Sequence, residues 1–392
     1  MYPVSDLLFP SVLIIIVAGL ILALISILPS ASTVPHLFPA FVTTRDGANV
    51  LSAGLAFASS ATPKLSNLIF HIQEFIIPGN NDSIPLYPLY DKNRDVIWTG
   101  DTQIDSSRIL EFNLTSGKFT EHKLNGTSIV TVMAFDHNKN NQIWYVDPLL
   151  KRLGRYDPSA NSTKLYAIPT QGIIARIAID LNNNVWLTSP DSNEILKFNT
   201  QTKNFTIIHL PTINAMPIGI MVDKASGLIW IAEGIGNLAS IDPTRNYKIT
   251  VYPVTTTNGS SSTNNTRYSP TELFMSTLAG NDDIYISDHD NHTVSVFDLT
   301  LKTFKTFPVF NPKSLPFGMA IDRNGYIWVA EHTTNKIAVI DPKTGSSREV
   351  QIPKENPYVQ FLTSDSKGNI WFAEQQGNSL GVITSTSTAS KN

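Results

Sequence analysis

The sequence predicts an all-β fold, a seven-bladed β-propeller with four-stranded blades, and three observations carry that expectation. First, all six tryptophans occupy one repeated phrase: Trp98, Trp144, Trp186, Trp230, Trp328 and Trp371 each follow Ile or Val, and Tyr285 fills a seventh copy. Their spacings are 46, 42, 44, 55, 43 and 43 residues, the range of a propeller blade. Second, each unit divides into short β-rich runs separated by Asp, Asn, Gly and Pro, as four strands and their turns require. Third, the seventh unit shows three strands, and the missing outer one stands at the other end, in residues 71–78. A blade cannot bury both faces alone, so seven must stack into a ring.

Taken in order, the chain opens with residues 1–29, expected to be a transmembrane anchor or an uncleaved signal. Residues 7–28 carry no charge, and 22 residues of helix at about 1.5 Å each reach roughly 33 Å, enough to cross a bilayer. A secretory signal is the rival, because Ser30-Ala31-Ser32 has the small-residue pattern of a cleavage site. Residues 30–66 read as a tether, mixed in Pro, Ser, Ala and Thr. The propeller is expected over 67–384 and a disordered tail over 385–392. The long fifth spacing is explained by a polar insertion, residues 255–266.

Composition excludes several classes. Lys plus Arg (29) nearly balances Asp plus Glu (32), leaving −3, so no basic surface for nucleic acid is expected. The absence of Cys excludes disulfides, thiolate catalysis and Cys-ligated zinc. No Gly-x-Ser-x-Gly elbow, phosphate loop or His-Glu-x-x-His helix is present. Eight Asn-x-Ser/Thr sequons suit an extracytoplasmic glycoprotein, although so Asn- and Ser/Thr-rich a chain generates most of them by chance.

In blade six the strands fall at 316–321, 326–330, 336–340 and 348–352, with turns at 322–325 and 341–345. The phrases IWVAEHTTNKIAVID and IWFAEQQGNSLGVI follow Trp328 and Trp371 through their blades. With the Pro-x-Gly entries at Pro217 and Pro316, they resemble the streptogramin lyase (virginiamycin B lyase) family, and more distantly NHL-repeat and gluconolactonase-type propellers. The resemblance implies a soluble seven-bladed enzyme that opens a cyclic depsipeptide by magnesium-assisted elimination. It implies a His after the Pro of the last two inner strands, a Glu two residues before the second His, and a Glu ending the last tryptophan strand. Matched to this sequence, those positions hold Phe317, Tyr358, Asn356 and Glu374, so only the last acid survives. Elimination needs a base near neutral pKa and a cation on the ester oxygen, and neither phenyl nor phenol supplies them. The fold is expected to transfer and the chemistry is not.

The third residue after the aromatic is acidic in six blades: Asp101, Asp147, Glu233, Asp288, Glu331 and Glu374, with Ser189 the exception. A group repeated this often is expected to do a structural job, such as bonding the next blade's backbone. Function should show as broken symmetry. The following residue is His only in blades five and six, giving Asp288-His289 and Glu331-His332 beside Glu374-Gln375. Asp288, His289, Glu331, His332 and Glu374 are therefore the candidate metal ligands, for a divalent cation such as magnesium. The competing expectation is two solvated loop histidines.

Together these features predict a monomeric, membrane-tethered propeller outside the cytoplasm, binding a peptide, glycan or protein on its upper face. The alternative is a metal-dependent lyase or lactonase acting on a cyclic ester or depsipeptide. An upper channel lined by acids would favour the enzyme, and one plugged by Phe and Tyr the binding module.

Overall fold

The computed structural model describes residues 63–79, 82–136, 142–254, 270–276, 283–289, 291–308 and 314–387. The expected anchor at 7–28, the tether up to residue 62 and the insertion at 255–266 lie outside the described residues. Among the described residues, no helix is long and apolar enough to cross a membrane.

Seven antiparallel four-stranded sheets form the propeller. Blades one to six run in simple up-and-down order over 89–123, 133–167, 176–209, 217–253, 270–308 and 316–351. In each, the inner strand descends from the upper face and the tryptophan strand returns to it. The turns after the tryptophan strands and the loops entering each blade therefore share the upper face.

Blade seven joins the two ends of the chain. Leu68–Ile76 pairs along all nine residues with Ser379–Ser387, from Leu68 opposite Ser387 to Ile76 opposite Ser379. The closing strand thus starts three residues earlier than the 71–78 expected from sequence. Its added length corrects the expected tail as well. Ser385, Thr386 and Ser387 are strand, because Leu68, Ile69 and Phe70 offer backbone partners there. Ahead of it, a 3-10 turn at Leu65–Asn67 caps the lower end, where Arg348 donates to the carbonyls of Leu65 and Leu68.

Seven apolar clusters fill the seven seams between blades. Trp98 packs with Ile143, Tyr145 and Tyr156 of blade two, and Trp144 with Val185, Leu187 and Phe198 of blade three. The same step recurs around the ring until Trp371 meets Ile97 and Phe112 of blade one. All six tryptophans and Tyr285 are buried. The sequence period is therefore the period of the inter-blade core: one aromatic per blade wedges into the next. In blades three, six and seven the indole N–H donates to the Asp of the preceding turn, Asp180, Asp322 or Asp365, at 2.9, 3.2 and 3.0 Å. That Asp also accepts the turn's own amides, which explains the recurrent Asp-x-x-Gly or Asp-x-x-Asn signal.

Around the channel, backbones touch directly. The Gly318 amide donates to the Gln360 carbonyl at 2.8 Å, bonding blade six to blade seven. A Cβ at Gly318 would lie 2.4 Å from that oxygen, so this Pro-x-Gly glycine is required for close approach.

Candidate functional site

The six repeated acids are buried and pin the upper turns of their own blades. Asp101 accepts the amides of Gln103 and Ile84, both at 3.0 Å, and pairs with Arg108 at 2.8 Å. Asp147 accepts Leu150 N at 3.1 Å and Ser128 N at 2.6 Å, and Asp288 accepts Asn291 N at 3.1 Å. Glu233 takes Asn237 and Thr212, Glu331 takes Thr334, and Glu374 takes Ser379. The expected structural job is real, but it ties each tryptophan strand to its own turn and entry loop rather than to the next blade.

In blades six and seven these acids meet a second carboxyl from the outer strand. Glu331 lies beside Glu349, and Glu374 beside Glu74, each pair close enough for the neighbouring carboxyl to favour a bound proton. The register explains the approach: Ala338 separates Val329 from Glu349, and Gly381 separates Phe372 from Glu74. At Gly381 the Phe372 ring lies against the backbone, filling the space a side chain would take. Burial, reinforced by the neighbouring carboxyl, pushes both Glu331 and Glu374 up to about 7. Blade one resolves the same arrangement differently, with Arg108 bridging Asp101 and Glu121 at 2.8 and 3.1 Å.

The histidines behave otherwise. His289 and His332 are buried, with their Nε2 atoms 3.1 Å apart and their rings edge to face. Phe317 stacks on His332 at 5.3 Å and 20°, and Tyr358 lies 5.3 Å from the same ring. Gln360 reaches His332 Nδ1 at 3.5 Å, and Gln375 donates to Gln360 at 2.8 Å. From the inner strand of blade three, the Arg176 guanidinium covers Phe317 and Phe361 at 5.0 and 4.6 Å, and Tyr87 closes against Phe361 at 4.8 Å. Burial, with the adjacent His289 ring, pushes His332 down to about 3, so it is neutral.

Of the five candidate metal ligands, the ring brings together His289 and His332 and leaves Asp288, Glu331 and Glu374 aside. The strands end at Asp288 and Glu331, and each His begins the turn beyond, while the acids are taken up by Asn291 and Thr334 of those turns. Among the described residues, no group of three or more His, Asp or Glu is placed to hold a metal.

The carried-over positions also shift. Met319 pairs with Val329, and Leu362 with Phe372, which aligns Asp322 with Asp365 and Phe317 with Gln360. Gln360, not Tyr358, occupies the seventh-blade equivalent of Phe317. Tyr358 then falls two residues earlier, the place assigned above to Asn356. Asn356 and Tyr358 both hold a positive φ, 51° and 53°, in the exposed-to-buried entry loop, and Asn356 faces solvent. Arg176, Gln360, Phe361 and Tyr87 were not singled out by sequence. Gln360 was available by counting five residues back from Asp365, and Arg176 as the one charge in an otherwise apolar inner strand.

Comparison with known proteins follows the same outline. Residues 255–391 match the model of the virginiamycin B lyase family. A streptogramin B lyase structure superposes with a TM-score of 0.69 at 18% identity, covering 81% of this chain and 98% of that one. Virginiamycin B lyase from Staphylococcus aureus gives 0.67 at 18% identity, covering 81% and 99%. A catalytically inactive form of that enzyme with quinupristin gives 0.68 at 18%, again covering 81% and 99%. No curated protein matches the chain. At this identity the structural likeness establishes the fold, a virginiamycin B lyase-like propeller.

Proposed function

We propose that this lyase-like propeller is a membrane-tethered, extracytoplasmic binding module that holds a peptide or protein on its upper face. One observation carries the proposal: the channel is plugged by the Arg176, Phe317, Phe361 and Tyr87 stack rather than lined by acids. The inner-strand positions where the resemblance implies catalytic histidines hold Phe317 and Gln360, which cannot take a proton near neutral pH. The upper face of blades one to four supports docking. Ile104, Leu149, Leu150 and Ile213 are exposed there, Ile213 at 84%. Next to Leu149 and Leu150 in sequence, Pro148 lines a small depression of about 70 Å³ with Ile168, Ile173 and Ile174. Apolar anchors beside a shallow pocket suit a protein or peptide surface more than a glycan.

The lyase alternative draws on Glu374, whose pKa near 7 would suit a general base. The carboxyl, however, is fully buried inside blade seven, with Oε2 accepting from Ser379 and Glu74 beside it, so a substrate proton has no open path to it. The test is to pan a peptide library against the full chain. Captured peptides should lose at least tenfold in affinity with Leu149→Asp or Ile213→Asp, and keep it with Leu181→Asp on the lower face. Ring opening of quinupristin by the full chain, abolished in Glu374→Gln, would overturn the proposal in favour of the lyase.

A further inference from the structure

We propose that His289 and His332 form a binding site for a late first-row transition-metal ion, of the class of Cu²⁺, Ni²⁺ and Zn²⁺. The site is separate from the peptide surface on blades one to four and does not depend on it. Two metal–nitrogen bonds of about 2.0–2.1 Å, closing on Nε2 atoms 3.1 Å apart, subtend about 98° at the metal. That angle falls between the tetrahedral and the octahedral cis values, so the spacing of the two nitrogens suits one shared ion.

The rings are also held in place. Phe317 stacks on His332 and meets His289 edge-on at 6.0 Å, so neither imidazole swings freely. The Nε2–Nε2 hydrogen bond requires a proton on one of the two nitrogens. Metal binding requires that proton to move from Nε2 to Nδ1 of the ring that carries it, which frees both Nε2 lone pairs with no net loss of a proton. The amide chain from Gln375 through Gln360 to His332 Nδ1 accommodates this tautomer. Rotating both amides makes Gln360 Oε1 the acceptor of Nδ1–H, while Gln360 Nε2 donates to Gln375 Oε1. A hydrogen bond behind the ligating ring is the usual support for a metal-bound imidazole.

The donor set selects the metal. Imidazole nitrogens suit copper, nickel and zinc, whereas magnesium prefers oxygen, and the acids that would supply it serve Asn291, Thr334 and Ser379. The two protein nitrogens leave the remaining coordination positions to water.

The experiment adds Cu²⁺ to the full chain and follows binding by calorimetry and by electron paramagnetic resonance. One ion per chain with hyperfine coupling to two imidazole nitrogens is expected, and this readout needs no variant. His289→Ala and His332→Ala should each lower affinity at least tenfold. His209→Ala, on an outer strand, should leave it unchanged, and a large excess of Mg²⁺ should not displace the copper. A spectrum without a two-nitrogen signature, or affinity unchanged in both alanine variants, overturns the site.

Discussion

Replacing Glu374 by Gln should stabilise the protein, by an amount that grows as pH rises from about 4.5 to 7 and then levels off. In the folded chain Glu374 is fully buried against Glu74, and its pKa rises from 4.5 to about 7. Between those values the folded state holds a proton that the unfolded state has released. The stability this contributes is complete below about pH 4.5 and is lost as pH rises through about 7. The rise of some 2.5 units converts at about 1.4 kcal/mol each into a loss of about 3 kcal/mol by pH 8. Glutamine copies the protonated acid in shape and never ionises. The variant should therefore match the wild type at pH 4 and exceed it by up to about 3 kcal/mol at pH 8, a melting-temperature gain of up to roughly 5–10 °C. Thermal melts of both proteins from pH 4 to 8 give the comparison. A gap independent of pH, or a wild type that gains on the variant as pH rises, would refute the bound-proton account.

Three other outcomes follow from the same structure. Arg108→Ala leaves Asp101 buried without its cation and should cost about 3 kcal/mol in denaturant unfolding; a loss below about 1 kcal/mol would mean the two backbone amides suffice. Gly318→Ala sets a Cβ 2.4 Å from a main-chain oxygen that cannot rotate away, and should lower stability by about 1–3 kcal/mol. A chain beginning at residue 80 loses the whole ladder from Leu68 to Ile76 and the Phe70 edge on Trp328, 5.2 Å away. It should aggregate or melt far below one beginning at residue 63, and equal melting temperatures would contradict ring closure.

The blade count and closure were legible because they depend on a signal repeated seven times: an aromatic after a β-branched residue, and turns rich in Asp and Gly. The site was legible only in part. His289 and His332 stood out by breaking the repeat, and they do meet. The three acids were grouped with them by adjacency along the chain, although each acid is taken up by its own blade, by Asn291, Thr334 or Ser379. Tyr358 was matched through Pro357, whereas the register keyed on Asp365 selects Gln360. Arg176 and Tyr87 join the cluster across the channel, from blades three and one. Such contacts depend on the curvature of the closed ring, which no local pattern encodes.

The pairing of Leu68–Ile76 with Ser379–Ser387 also fixes an order of events during synthesis. The first propeller strand leaves the ribosome before any blade exists, and its partner follows all six other blades; His71 and Thr386, which bond in the finished ring, are 315 residues apart. At about 5–20 residues per second, the intervening 300 or so residues take roughly 15–60 s. Blades one to six can assemble from neighbouring strands as they emerge. Blade seven cannot, so the seams on either side of it, where Trp328 and Trp371 are buried, stay open until Ser379–Ser387 has emerged. A nascent chain stalled before residue 379 holds six of its seven blades and has no closed ring.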